Sequence, residues 1–133
     1  MVIHMIRFST TPGNNGCDYF NNLFQSKNIN AIYKSFYSND IGKSIEAAIT
    51  LNFLGFAVSM PFKTEVLKYT DTITPEVKII GAANTIVNNN GTLTAYNTDW
   101  LGVYNFLSTF SGTLESHITI LGNGGFSKAA QYA

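Results

Sequence analysis

The sequence has little cysteine and little charge. Cys17 is the only cysteine among 133 residues, so no disulfide can form within the chain and nothing requires an oxidising compartment. Charged residues make up 12%, with 8 Lys+Arg against 8 Asp+Glu, which gives no electrostatic reason to expect a nucleic acid or an anionic membrane as partner. Asn52, Gly55 and Pro61 interrupt the uncharged run 47–62. That run therefore indicates a helix end, a turn and a strand, and not a membrane span.

What remains is a small chain rich in apolar side chains. Hydrophobic residues make up 45% of the sequence, and a domain of this length buries about two-thirds of its unfolded surface. The N-terminal residues are too polar for a signal peptide. His4 and His117 stand alone, without the grouping that a metal site needs. We therefore expect a cytoplasmic domain that binds a small molecule and no metal.

The hydrophobic pattern alternates between strand and helix. Residues 2–8, 31–36 and 56–60 have the pattern of strands, and helical spacing lies between them. The second helix is predicted to begin after Asp40 and to stop at Gly55, where a left-handed cap is expected. This order with short connections predicts an α/β fold, a mostly parallel three-layer α/β/α sheet with right-handed crossovers.

Asn90-Gly91 is the strongest hairpin signal in the chain, because both residues tolerate the positive φ of a two-residue turn. We predict flanking strands over 84–89 and 92–97. This register places Asn84 opposite Asn97 and leaves Asn84 and Asp99 on one face, about 7–8 Å apart at the backbone. A slip of one residue would reverse the face.

The C-terminal part predicts a second domain. A helix over 99–110 is followed by a polar stretch at 111–116, so we divide the chain into a substrate-binding catalytic domain (1–110) and the start of a cofactor domain (111–133). The latter is predicted to be the first strand (118–121) and helix (124–133) of a Rossmann-like fold. Its candidate cofactor-binding residues are Gly122, Gly124 and Gly125. A tight turn that opens a helix lets a pyrophosphate approach the backbone amides.

Lys63 and Asp99 are the candidate catalytic residues. Lys63 follows the third predicted strand, at the carboxyl end where ligands bind in open parallel sheets. An ammonium beside a carboxylate in a partly desolvated cleft can exchange a proton. Such a pair suits the interconversion of an alcohol and a ketone, in which the hydroxyl proton needs an acceptor. Taken alone, a lysine after Pro-Phe is more often a solvated surface group.

Ser9 and Thr11 follow the first strand, also at a carboxyl end. Two hydroxyls at this spacing can point the same way and bind a small carboxylate without a full counter-charge. The alternative, that they only begin a turn, is equally open at this point.

Four motifs in order carry a family resemblance. The segments 55–63, 83–85, 96–102 and 121–125 read GFAVSMPFK, ANT, YNTDWLG and LGNGG. Together they resemble the shikimate dehydrogenase family, across essentially the whole chain. The resemblance implies NADP as cofactor, a carboxylic acid as substrate and a catalytic lysine–aspartate pair. It implies roles for Lys63 and Asp99 in catalysis and for Ser9, Thr11, Ser59 and Asn84 in substrate binding.

Departures from the family pattern leave alternatives open. Ala57 stands where the family has an asparagine, so the substrate is open among shikimate, quinate and an aminated analogue. The match covers about half of the family's chain, and we expect these 133 residues to be inactive alone. A non-catalytic module that binds a small acid, or self-associates as a homodimer through 118–121, is the alternative. A lysine-dependent folate enzyme would need a pterin-sized slot that the sequence does not reveal.

Overall fold

The computed structural model describes residues 3–110 and 118–133. The predicted polar linker at 111–116 lies outside them. The described residues form a single sheet with helices around it. The elements in order are β1 (Ile3–Ser9), α1 (Asn15–Ser26), β2 (Ala31–Tyr37), α2 (Ile41–Thr50), β3 (Gly55–Val58), a 3₁₀ helix (Glu65–Tyr69), β4 (Thr72–Ile73), α3 (Pro75–Ile80), β5 (Thr85–Asn89), β6 (Thr92–Tyr96), α4 (Asp99–Ser108) and α5 (Gly125–Tyr132).

The six strands lie in the order β2-β1-β3-β5-β6-β4. β1 is parallel to both β2 and β3, and β4 is parallel to β6. β5 is antiparallel to β3 and β6. The predicted α/β fold with mainly parallel pairing is confirmed. The sequence did not predict β4 or the pairing of β5 with β3.

Helices α1 and α2 cover opposite faces of the sheet. Ile6 of β1 and Phe56 of β3 pack in one buried core with Ile45 of α2. On the other face Tyr33 of β2 lies against Phe20 of α1, with ring centroids 4.8 Å apart. These contacts produce the three predicted layers, because each helix buries its apolar side against a different side of the sheet.

The hairpin forms in the predicted register. Asn90 and Gly91 have φ values of 52° and 93°, which only a few residue types adopt at low cost. Thr85 pairs with Tyr96, and the amide of Asn84 donates to the carbonyl of Tyr96 at 3.1 Å. This register decides which side chains reach the site at the end of the hairpin.

The predicted role of Gly55 as a helix cap is wrong. α2 ends at Thr50, Asn52 takes the positive φ of 54°, and Gly55 is the first residue of β3. A Cβ on Gly55 would lie 2.7 Å from the carbonyl oxygen of Ile86 on the paired strand. Glycine is therefore needed here for close approach of two strands, which the local sequence does not reveal.

The predicted strand at 118–121 is not formed, whereas the helix that follows it is. Residues 118–121 lie in irregular backbone, since no described strand lies alongside them to pair with their amides and carbonyls. None of the helices described is long and apolar enough to cross a membrane.

Candidate functional site

Lys63 lies just beyond the carboxyl end of β3. Its backbone is fixed there, because its carbonyl accepts a 2.7 Å hydrogen bond from the amide of Ala83, two residues before β5. The amide of Val66 bonds to the carbonyl of Phe62, which begins the turn into the 3₁₀ helix. Lys63 is thus held between two strands whose ends meet at one edge of the sheet.

The Lys63 ammonium and the Asp99 carboxylate form an ion pair. Nζ lies 2.6 Å from Oδ2, and each side chain is 17% exposed. Asp99 is the first residue of α4, where the helix dipole favours a negative charge. The two residues are 36 positions apart. The pair is therefore a product of tertiary structure and is partly withdrawn from water.

Asn84 connects the pair to the end of the hairpin. Its Nδ2 donates to Asp99 Oδ1 at 2.9 Å and to Thr98 Oγ1 at 2.9 Å. Its Oδ1 accepts from the amide of Thr98 at 3.0 Å and from Thr85 Oγ1 at 2.9 Å. One oxygen of Asp99 therefore faces Lys63 and the other faces Asn84, which fixes the orientation of the carboxylate.

Asn97 holds the backbone at the start of α4, where Asp99 lies. Its side chain is buried, and its Nδ2 donates to the carbonyl of Ala82 at 2.8 Å. Its Oδ1 accepts from the amide of Asp99 at 2.9 Å. This network ties the start of α4 to the segment before β5. The sequence placed Asn97 opposite Asn84 but did not assign it this supporting role.

The glycine-rich turn lies directly against Lys63. Residues Gly124 and Gly125 share a cleft with Ser59 and Lys63, and Nζ lies 5.6 Å from the ring centroid of Phe126, within cation–π range. A Cβ on Gly125 would lie 2.7 Å from Lys63 Cβ. The structure therefore brings the predicted cofactor turn and the predicted catalytic lysine into contact.

The turn fits the pyrophosphate of a dinucleotide. Gly122 has φ 114°, a conformation that side chains rarely adopt. α5 begins at Gly125, and no side chain of the described residues caps its first turn. Uncapped amides at a helix start can receive an anion. Gly122, Gly124 and Gly125 are the residues that would hold the pyrophosphate.

The four predicted substrate-binding residues differ in position. Ser59 lines the cleft beside Lys63, and Asn84 is bonded to Asp99. Ser9 is 1% exposed, and its Oγ donates to the carbonyl of Met60 at 3.4 Å and accepts from the amide of Thr11 at 3.1 Å. Thr11 is exposed and does not line the cleft. The structure therefore does not present Ser9 and Thr11 as a pair of free hydroxyls.

Two contacts at the site involve residues that sequence reasoning missed. Arg7 Nη2 donates to Ser59 Oγ at 2.8 Å, and Phe126 lies beneath the lysine. Arg7 and Ser9 are two positions apart on β1 and so share a face of the sheet. This spacing was the sequence signal that could have indicated a role for Arg7 at the site. No group of three or more His, Cys, Asp or Glu within 3–110 and 118–133 is arranged to hold a metal ion.

The fold and the site together define a class: an α/β domain with a lysine–aspartate pair at the sheet edge, beside a glycine-rich turn. The family described as shikimate dehydrogenase substrate binding domain matches residues 4–86. The chain belongs to this family.

Two relatives resemble this chain in sequence, and a crystal structure resembles it in fold. A shikimate dehydrogenase-like protein of Haemophilus influenzae is 37% identical over 121 residues, covering 91% of this chain and 45% of its own length. The shikimate dehydrogenase (NADP(+)) of Streptococcus thermophilus is 35% identical over 97% of this chain and 44% of its own. The crystal structure of shikimate dehydrogenase 1 from Peptoclostridium difficile superposes with a TM-score of 0.87 at 32% identity, covering 98% of this chain and 51% of that one. The chain thus spans about half the length of these relatives.

Proposed function

We propose that this chain supplies the substrate pocket and the proton-transfer pair of an NADP-dependent oxidoreductase. The reaction is the interconversion of 3-dehydroshikimate and shikimate, or of a related ketone and polyol acid. The observation that carries the proposal is the 2.6 Å contact between Lys63 Nζ and Asp99 Oδ2 in a cleft walled by the glycine-rich turn. Family membership and the names of the relatives support the same reaction class.

Lys63 is the group that exchanges the proton. In the direction of reduction its ammonium donates a proton to the ketone oxygen. NADPH, held at Gly122, Gly124 and Gly125, would supply the hydride. Asp99 orients the ammonium and stabilises its charge. Because both side chains keep 17% of their surface exposed, solvent can reprotonate the lysine. In oxidation Lys63 accepts the hydroxyl proton instead.

The two parts of the chain have different roles in this reaction. Residues 1–110 bind the acid, with Ser9, Thr11, Ser59 and Asn84 as the proposed substrate-binding set. Residues 111–133 begin the NADP domain, and the cofactor assignment is supported by the NADP(+) in the name of the Streptococcus relative. The described residues after the turn form one helix, which receives a pyrophosphate but does not enclose a dinucleotide. We therefore expect a chain of these 133 residues to bind the acid without turnover, in the cytoplasm.

Calorimetric titration tests the pocket. Shikimate, quinate and their ketones are titrated into the wild-type chain, into Lys63→Met and into the control Lys68→Met, which removes an equal charge from an exposed position. We expect one of the acids to bind the wild type and the control equally. Lys63→Met should lose affinity about tenfold or more, because a charged hydrogen bond contributes about 1.5–3 kcal/mol.

Two results contradict the proposal. If no acid or ketone binds the wild-type chain, the pocket is not a substrate site of this kind. If an acid binds but Lys63→Met retains full affinity, the protein is a binding module that does not use the lysine. Rapid reduction of NADP by the 133-residue chain with shikimate would contradict the expected inactivity.

A second candidate function is self-association. Leu121 is 90% exposed, and Ile118 and Phe106 are exposed beside it, on the wall of one apolar cleft. Exposed apolar surface of this kind favours contact with another protein surface. Sedimentation velocity of the wild type and of Leu121→Asp checks this candidate. A homodimer that Leu121→Asp dissociates would support it, and a wild-type monomer at all concentrations would reject it.

A further inference from the structure

Arg7 of β1 lies behind the cleft and reaches it through Ser59, a cleft-lining residue to which its guanidinium is hydrogen-bonded. It is paired with Ala57 on β3 and with Ser35 on β2. Because side chains alternate along a strand, Arg7 shares its face with Ser9, two positions further along β1. Ser59 is the residue that follows β3. Arg7 Nη2 donates to Ser59 Oγ at 2.8 Å. Ser59 in turn lines the cleft that contains Lys63.

The positive charge of Arg7 has no carboxylate partner among the described residues. A guanidinium has five N–H donors, and the bond to Ser59 uses one of them. Burial raises the pKa of the nearby Tyr33 hydroxyl, and the charge of Arg7 acts in the opposite direction. Ser35 Oγ beside Arg7 is buried and has no hydrogen-bond partner within the described ranges. A half-buried cation among uncharged groups is costly unless an anion joins it.

Of the two hydroxyls predicted to bind a carboxylate, that of Ser9 already has partners within the protein. Ser9 is buried, and its Oγ donates to the carbonyl of Met60 and accepts from the amide of Thr11. Its single hydroxyl proton is therefore already used within the protein. Neither hydroxyl carries a positive charge, so recognition of the negative charge of the acid needs another group. The planar fork of an arginine matches a carboxylate with two parallel hydrogen bonds.

We propose that Arg7, together with Ser59 at the cleft wall, supplies the positive charge that recognises the carboxylate of the substrate. Arg7 thus determines specificity: the pocket selects an anionic acid over its uncharged ester. This inference rests on the proposed function, since it assumes that the acid binds beside Lys63. It adds to that function the residue that recognises the negative charge of the acid.

The test compares shikimate with its methyl ester, or quinate with its ester if quinate is the tighter ligand. Calorimetry is performed on the wild type, Arg7→Gln, Arg7→Lys and the control Lys34→Gln, with folding checked by circular dichroism. Lys34 is exposed on the neighbouring strand and pairs with Ile6, so its side chain lies on the opposite face of the sheet. We expect Arg7→Gln to weaken acid binding about 10–100-fold and ester binding by no more than about threefold. Arg7→Lys should restore part of the preference for the acid, and Lys34→Gln should leave it unchanged.

Four outcomes overturn the inference. Equal weakening of acid and ester in Arg7→Gln would show a merely structural role. An unchanged preference would show that another group reads the charge. Equal affinity of the wild type for acid and ester would refute it without any variant, so the result stands even if Arg7→Gln fails to fold. A wild type that binds no acid or ketone would refute the proposed function, and this inference with it.

Discussion

Replacing Gly125 by alanine tests whether the glycine-rich turn is packed against the catalytic lysine. The added Cβ would lie 2.7 Å from Lys63 Cβ and 3.3 Å from Ala82 Cβ, whereas carbon atoms pack best at about 3.5–4.0 Å. One of the two segments must therefore move by about 1 Å. Lys63 Cβ cannot swing away like the tip of a side chain, because the Lys63 carbonyl is bonded to the amide of Ala83.

The expected change in the free energy of unfolding for Gly125→Ala follows from two opposing effects. Overpacking costs about 1–3 kcal/mol, and alanine gains up to about 1 kcal/mol over glycine within a helix. Because Gly125 is the first residue of α5, only part of that gain applies. We expect a net loss of about 1–2 kcal/mol in the free energy of unfolding.

Urea denaturation followed by the fluorescence of Trp100 is a suitable assay. Trp100 on α4 lies 5.3 Å from Tyr132 of α5, measured between ring centroids, so its emission reports on the docking of α5. Gly124→Ala is the matched control, because a Cβ there meets no atom within 4 Å and its φ of −83° is ordinary. Equal stability of the two alanine variants, with unchanged affinity for the acid, would refute the contact between the turn and Lys63.

Two further predictions concern the supports of the site and of α2. Asn97→Ala should lower the free energy of unfolding by about 1–3 kcal/mol, because it leaves the Ala82 carbonyl and the Asp99 amide without their partner; urea denaturation with no change in midpoint would contradict this. Asp40 accepts the amide of Lys43 at the start of α2, and this bond lowers the pKa of its carboxyl. A lowered pKa in the folded state stabilises the protein above the unfolded pKa, and this contribution is lost as pH falls through the folded value. Asp40→Ala should therefore lower the Tm at neutral pH and have less effect in acid, where the carboxyl is protonated. Thermal melts under both conditions would show this, and an equal decrease in both would contradict the capping role.

The local sequence was sufficient to predict an element where the interactions that stabilise it lie within one short segment. Asn90-Gly91 specified the turn, and the turn specified the register of β5 and β6. Asp40 began α2 through a bond only three residues away. Asn84 and Asp99 were placed on one face for the same reason, since the hairpin connects them through a single short turn. The roles assigned to Lys63 and Asp99 came from motifs and remain for experiment to test.

Contacts between distant segments leave no signal in the local sequence. Such contacts decided the parts of the fold that the sequence did not predict. Gly55 has the pattern of a helix stop, but its need for a small side chain comes from a strand 31 positions away at Ile86. β4 has only two residues and forms by pairing with β6. The strand predicted at 118–121 has no described partner, so apolar pattern alone did not produce it.

The amino-acid sequence by itself determined the α/β class, the hairpin and the residue types available for proton transfer, because these depend on periodicity and on short-range hydrogen bonds. Only the tertiary structure brought Lys63 to Asp99, placed Gly125 against the lysine and left Arg7 beside Ser59, with no carboxylate partner in the described part of the chain. Burial and charge compensation depend on which segments pack together, and that is settled only when the whole sheet has formed.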